Sequence, residues 1–228
     1  MKTIKTIVVL ASILCGAAAG LRAQSLEAAL NSMDQAAANF RTAQCDFVWD
    51  QYQKVVNDTD TQSGKIYFRR QGKEVQMAAD ITTPRKYVLY GEGKAQIYEP
   101  NIDQVTVYNV TKNRADVESL LVLGFGGSGH DLLKDYVVTS AGTENVAGVN
   151  ANKLQLVPKS VKLRNNIERI VLWIDPARGI SVQQQFFQGG GDYRLAKYSN
   201  IQINQKINDN VFKLKTTPRT KTLSPSGE

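Results

Sequence analysis

The 228-residue chain holds one histidine, two cysteines and two tryptophans. One histidine excludes a His-rich metal site and any two-histidine mechanism. Two cysteines exclude a disulfide-dense scaffold and a four-cysteine zinc site. After the first 23 residues no stretch reaches 18 consecutive apolar residues, so none reads as a membrane span. Internal repeats are missing, and so are the composition of a collagen and of a disordered chain. What is present, 42% hydrophobic and 21% charged residues, is ordinary globular composition and enough to bury a core.

The first 23 residues read as a secretory signal peptide. Lys2 and Lys5 open it, Ile7 to Leu14 are almost wholly apolar, and small residues follow from Gly16 to Gly20. The apolar run is too short to span a bilayer. Cleavage fits after Ala19 or after Ala23, and a helix signal at Ser25 favours Ala23. Leu14 stands where a lipoprotein box needs a small residue, so Cys15 is not read as a lipidation site. Removal would leave Cys45 as the one cysteine, with no internal disulfide. It would also lower the net charge from +7 to +4, because Lys2, Lys5 and Arg22 depart. The expected fate is export.

Residues 24–228 read as one domain. Leu26, Leu30, Met33, Ala37 and Phe40 recur at spacings of three and four, which predicts one amphipathic helix from Ser25 to Arg41. From Gln44 the period changes to two. Phe47 and Trp49 share a face, as do Ile66 and Phe68, and Val75, Met77, Ala79 and Ile81. Short strands with turns every 8–12 residues predict an antiparallel meander. Helical patterns at Arg114 to Leu123 and Asp131 to Lys134 interrupt it, and the polar tail from Thr217 is expected to fray. The fold class is α+β: one strongly curved antiparallel sheet of some ten strands, with helices on one face.

Motifs that suggest chemistry have simpler explanations. Gly124-Phe125-Gly126-Gly127-Ser128-Gly129 fits GxGxxG, but a helix precedes it and no βαβ unit surrounds it, so it reads as a hinge. Ser128 and His130 suggest a hydrolase, yet the elbow GxSxG would need glycine at 130. Asp46 with Asp50, and Asp58 with Asp60, are ordinary strand and turn residues. Lys159, Lys162, Arg164 and Arg169 form a basic stretch without the aromatic interleaving of a nucleic-acid groove. No catalytic set, metal site or cofactor site assembles, and the chain does not read as an enzyme. Instead, apolar residues occupy both faces of several strands, as at Phe47-Val48-Trp49, Ile170 to Ile174 and Phe186-Phe187. A two-layer core and a lipid cavity both account for that excess.

The order of motifs carries a resemblance. Gly64-Lys65-Ile66-Tyr67-Phe68-Arg69-Arg70 is followed by Gly93-Lys94, Tyr98-Glu99-Pro100 and Gln104-Val105. Leu154 to Lys159, Ile170 to Asp175, Gly179, Tyr198, Asn200-Ile201, Ile207 and Val211 to Leu214 complete the series. From about Ser25 to Pro218 the chain resembles the LolA family of periplasmic carriers for outer-membrane lipoproteins. The resemblance implies an incomplete antiparallel β-barrel with a helical lid over an apolar concave face that receives acyl chains. It implies a lid-holding arginine at Arg70, with Arg69 one register away, and cavity residues Val75, Met77 and Ile97. With these we group Leu30 and Met33 of the first helix, Phe47, Trp49 and Leu121 as candidate acyl contacts. Gln71 stands where the family often has proline, Met77 and Ile97 where it often has aromatic rings, and Pro218-Arg219-Thr220 lacks a usual glycine. The implied partners are lipidated proteins, an inner-membrane ABC-type lipoprotein-releasing complex and an outer-membrane acceptor. Nucleic acid is not expected as a partner, and a monomer is. A related half-barrel domain that senses lipoproteins or binds another lipid is the alternative.

Overall fold

The computed structural model describes residues 24–225 except residue 73. The signal-peptide reading of residues 1–23 lies outside that range. The first helix, α1 (24–39), turns the predicted apolar stripe inward: Ala29, Leu30, Met33 and Ala37 are buried, as is Phe40 just beyond it. Its C-terminal end is closed by a residue 165 positions away. The Asn204 side chain donates to the Asn39 carbonyl at 2.9 Å, and its oxygen accepts from the amides of Arg41 and Thr42. Carbonyls at a helix end lack intrahelical partners, so this amide substitutes for a local cap.

Twelve strands follow. β1 (Thr42–Gln53), β2 (Asp58–Gln71), β3 (Glu74–Ile81), β4 (Lys86–Gly91), β5 (Lys94–Glu99) and β6 (Gln104–Asn109) form an antiparallel meander. Two helices interrupt it, α2 (Arg114–Leu121) and α3 (Gly129–Asp135). β7 (Tyr136–Val146), β8 (Val149–Pro158), a single-turn α4 (Val161–Arg164), β9 (Arg169–Asp175), β10 (Ile180–Phe187) and β11 (Tyr193–Ile203) complete the main sheet. α4 lies within the basic stretch. β11 returns to pair with β1, so the two meanders join into one sheet in the order β12-β6-β5-β4-β3-β2-β1-β11-β10-β9-β8-β7. The sheet does not close: β7 and β12 (Lys221–Leu223) are its two edges.

The tail is ordered where fraying was expected. β12 pairs with β6 in parallel, the one parallel pair among the described strands. Thr217 and Thr220 both donate to the Asp103 carboxylate, at 2.7 and 2.6 Å, and the Lys221 amide donates to the Asp103 carbonyl. A polar tail is thus held by hydrogen bonds to a turn more than a hundred residues away. Upstream of it, residues 208–215 cross the outer face of β2 to β4. Arg69 fastens that strap: it donates to Gln76, pairs with Asp209 and lies over the Phe212 ring at 4.2 Å.

The main core fills only half of the concave face. Leu30 and Met33 of α1 and Leu132 of α3 pack on Leu154, Leu156, Ile170, Leu172 and Ile174 of β8 and β9. Gly179, at φ +63°, lets the β9–β10 turn approach α1, because a Cβ there would lie 2.1 Å from the Ser32 carbonyl oxygen. The continuous apolar run of β9 is explained by a second, outer cluster. Val171 and Trp173 pack there with Ala151 and Val182 beneath Val146 and Val149 of the β7–β8 hairpin. Helices on one face and a curled hairpin on the other account for the apolar excess over this half. Over β1 to β4 the inner face is covered instead by α2 and the loop that follows it.

Candidate functional site

That half holds an apolar cavity of about 250 Å³. Alternation within each strand sets its floor. Phe47 and Trp49 of β1 share the inner face with Ile66 and Phe68 of β2, and Met77, Ala79 and Ile81 of β3 continue it. Val88, Phe186, Ala196 and Tyr198 complete it. The roof is Leu120 and Leu121 of α2 with Leu123 and Phe125 of the loop that follows. Gln184 is the one lining side chain with an amide, and its polar atoms are satisfied. It donates to the Leu123 carbonyl at 2.5 Å and accepts from the Tyr198 hydroxyl at 3.1 Å. An apolar space without a polar anchor binds chains by area and without direction.

The candidate acyl contacts separate in space. Phe47, Trp49, Met77 and Leu121 line the cavity. Val75 is buried on the same face but opposite Arg70, beyond the cavity's end. Ile97 pairs with Val88 one strand outside it. Leu30 and Met33 do not reach it: each is 1% exposed in the closed core under α1. A helical stripe announces burial but not what it is buried against, and α1 lies over β8 and β9.

Phe125 is a residue the glycine-rich motif conceals. Its ring stacks on Phe68 at 5.2 Å and meets the Tyr198 edge at 4.8 Å, so the lid loop inserts its own aromatic plug. Cys45 packs beside this cluster as a free thiol, and burial pushes that thiol up to about 12.

Arg70 is the next inward position of β2 after Phe68 of the cavity floor, and it borders the neighbouring cleft between the helices. Its guanidinium donates to the Ala37 carbonyl of α1 at 3.0 Å and to the Gly126 carbonyl of the lid loop at 2.6 Å. Gly126 takes φ +83°, and a Cβ there would lie 2.4 Å from the Phe40 ring, so only glycine brings this carbonyl to the arginine without strain. Arg69 faces the other way, toward the outer strap. One strand therefore sends adjacent arginines to opposite faces, one holding the lid and one holding the tail. α2 is pinned separately, by Arg114 to Glu74 of β3 at 2.9 Å and to Glu118 at 2.8 Å.

A second cleft, of about 510 Å³, separates α1, α2 and α3 on the far side of the lid loop. Its lining mixes Asp34, Asp131 and Asp135 with Arg70 and with the apolar Val122 and Leu132. Leu123 borders both spaces, so residues 122–128 are the wall between them.

Ser128 and His130 meet Asp34 of α1, but not as a catalytic triad. Ser128 Oγ donates to Asp34 Oδ1 at 2.6 Å, and His130 Nδ1 contacts the other oxygen of the same carboxylate. His130 Nε2 faces Glu27 at 3.1 Å. The carboxylate sits between hydroxyl and imidazole, so the imidazole does not receive the serine proton as it would in a triad. The cluster instead clasps α3 to α1. Burial opposes Asp34 ionisation, but the bonds from Ser128 and His130 outweigh it and hold the carboxyl below its ordinary value of 3.8. The bond to Asp34 foremost holds His130 above its ordinary 6.5. The histidine contribution is complete below 6.5 and fades as pH rises through the raised value; the Asp34 contribution holds above 3.8 and fades below it. The clasp is therefore strongest in mildly acid solution. The melting-temperature gap between wild type and His130→Gln should be wider near about pH 5.5 than near about pH 8.5. An unchanging gap would show that the ring does not ionise in the clasp.

An open, curved sheet with a helical lid held over an apolar cavity is a half-barrel architecture. The chain belongs to the LolA family: residues 38–215 match the family described as Outer membrane lipoprotein carrier protein LolA. No curated protein matches the chain. Among solved structures, an uncharacterized conserved protein from Thermus thermophilus is similar over 86% of this chain and 97% of its own, with 9% identity and a TM-score of 0.55. The Pseudomonas aeruginosa MucA/MucB complex is similar over 84% of this chain, with 15% identity and a TM-score of 0.51. In that case the match spans 61% of the neighbour.

Proposed function

We propose that the protein is a periplasmic carrier that shields lipoprotein acyl chains in this cavity and ferries them from the inner to the outer membrane. The observation that carries the reading is the apolar cavity closed by a lid whose latch, Arg70, bonds only backbone carbonyls. Each buried methylene contributes about 0.8 kcal/mol, so roughly ten methylenes hold a cargo with about 8 kcal/mol. The closed space of about 250 Å³ lies below the roughly 300–1,000 Å³ of common ligand pockets, so loading requires the lid to move and Phe125 to withdraw. Residues 1–23 would direct export and then be removed. An inner-membrane ABC-type complex would supply the energy of loading, and an outer-membrane acceptor would receive the cargo. The carrier itself needs no cofactor and acts as a monomer.

The likeness to MucB, which is solved both alone and in complex with MucA, favours a second reading as an interaction domain that senses lipoproteins. Mass spectrometry of the protein purified from periplasm separates the two. Co-purifying acylated lipoprotein is the expected result. A cavity empty in every preparation would contradict the carrier.

A further inference from the structure

We propose that Arg194 forms an anion-binding subsite at the rim of the cavity, so that the cavity also accepts a lipid with an anionic head. The proposal rests on the acyl-chain reading of the cavity and extends it to a ligand class that a neutral lipoprotein anchor does not represent. In the ladder Arg194 stands opposite Gln51 of β1 and Phe186 of β10. It shares the inward face with Ala196 and Tyr198, and the residue opposite Ala196 is Trp49. Arg194 is thus the next inward position after the cavity wall, toward the β10–β11 turn. Arg70 is the next inward position after Phe68.

The surroundings of the two arginines differ. Arg70 has two carbonyl acceptors. Arg194 lies over the Trp49 ring at 5.6 Å, and its Nε is buried without an acceptor. Among the described residues no carboxylate pairs with it. A half-buried guanidinium carries five donors and its full charge, and leaving a buried donor unmet is costly. Its planar fork matches phosphate and carboxylate oxygens two at a time. Trp49 and Phe186 line the cavity beside it, so a chain held there emerges next to the positive charge. A free anion would leave that apolar wall unused, which is why the ligand is a lipid. Phosphate and carboxylate heads offer the same chemistry and are separated by the test.

Dodecyl phosphate, dodecanoate and dodecyl maltoside, each as monomers, serve as probes of equal chain length. Wild type should bind one or both charged probes more tightly than the maltoside. Arg194→Met keeps an apolar stem over Trp49 and should weaken the charged probes about tenfold while sparing the maltoside. Arg194→Lys should recover part of the loss. Arg169→Met, which removes the guanidinium over Phe187, should change nothing. A loss confined to dodecyl phosphate or to dodecanoate identifies the head. Equal losses for all three probes, or no loss for any, would overturn the subsite while leaving the cavity intact. If wild type binds none of the three, the cavity reading fails and the subsite with it.

Discussion

Arg70→Leu is expected to load cargo normally and to release it about thirtyfold less readily to acceptor liposomes. The leucine keeps an apolar surface at that position but abandons the carbonyls of Ala37 and Gly126. Two charge-assisted bonds at a half-buried site favour the closed lid by about 2 kcal/mol, after discounting for solvent. Closing the lid over an empty cavity restores those bonds, and that gain drives cargo out. Without them the loaded, open state persists. The measurement is transfer of a fluorescent acylated peptide from loaded protein to liposomes. Arg69→Leu is the control, because Arg69 holds the outer strap through Gln76 and Asp209. It should transfer like wild type while loosening residues 208–215. Equal transfer by both variants and wild type would remove the latch from the mechanism.

Phe125→Ala is expected to lower stability by about 3–5 kcal/mol, the usual cost of deleting a buried phenyl ring. It should nevertheless tighten acyl binding. The Phe125 ring is 1% exposed and occupies space between Phe68 and Tyr198 that cargo would otherwise fill. In wild type a bound chain must first displace the plug; in the variant that opposing contact is gone. A lower melting temperature with unchanged or weaker acyl affinity would make Phe125 a core residue only.

Residues 66–81 show how much was legible in the sequence. Strict alternation marked Ile66, Phe68, Met77, Ala79 and Ile81 as one face, and that face is the cavity floor. Arg70 follows Phe68 in the same alternation and faces inward, where the resemblance had placed a lid-holding arginine. The helical stripe of α1 was equally plain. Its target was not, because periodicity identifies a buried side without its partner, and Leu30 and Met33 joined the wrong set. Phe125 was hidden because its direction depends on the positive φ angles of Gly124 and Gly126, which a glycine-rich motif presents as looseness. β12 was hidden for the opposite reason. Its polar residues gain order from Asp103, a partner far along the chain that local composition does not reveal.

The central claim is that acyl chains occupy the space between the sheet and its lid. The two tryptophans make a direct test, since Trp49 lines that space while Trp173 packs in the outer-face cluster. A brominated acyl amphiphile, which quenches tryptophan on contact, is titrated into Trp173→Phe and Trp49→Phe proteins. The account predicts saturable quenching in Trp173→Phe, where Trp49 remains, and none in Trp49→Phe. Equal quenching in both, or quenching of Trp173 alone, would place the chains elsewhere and contradict it.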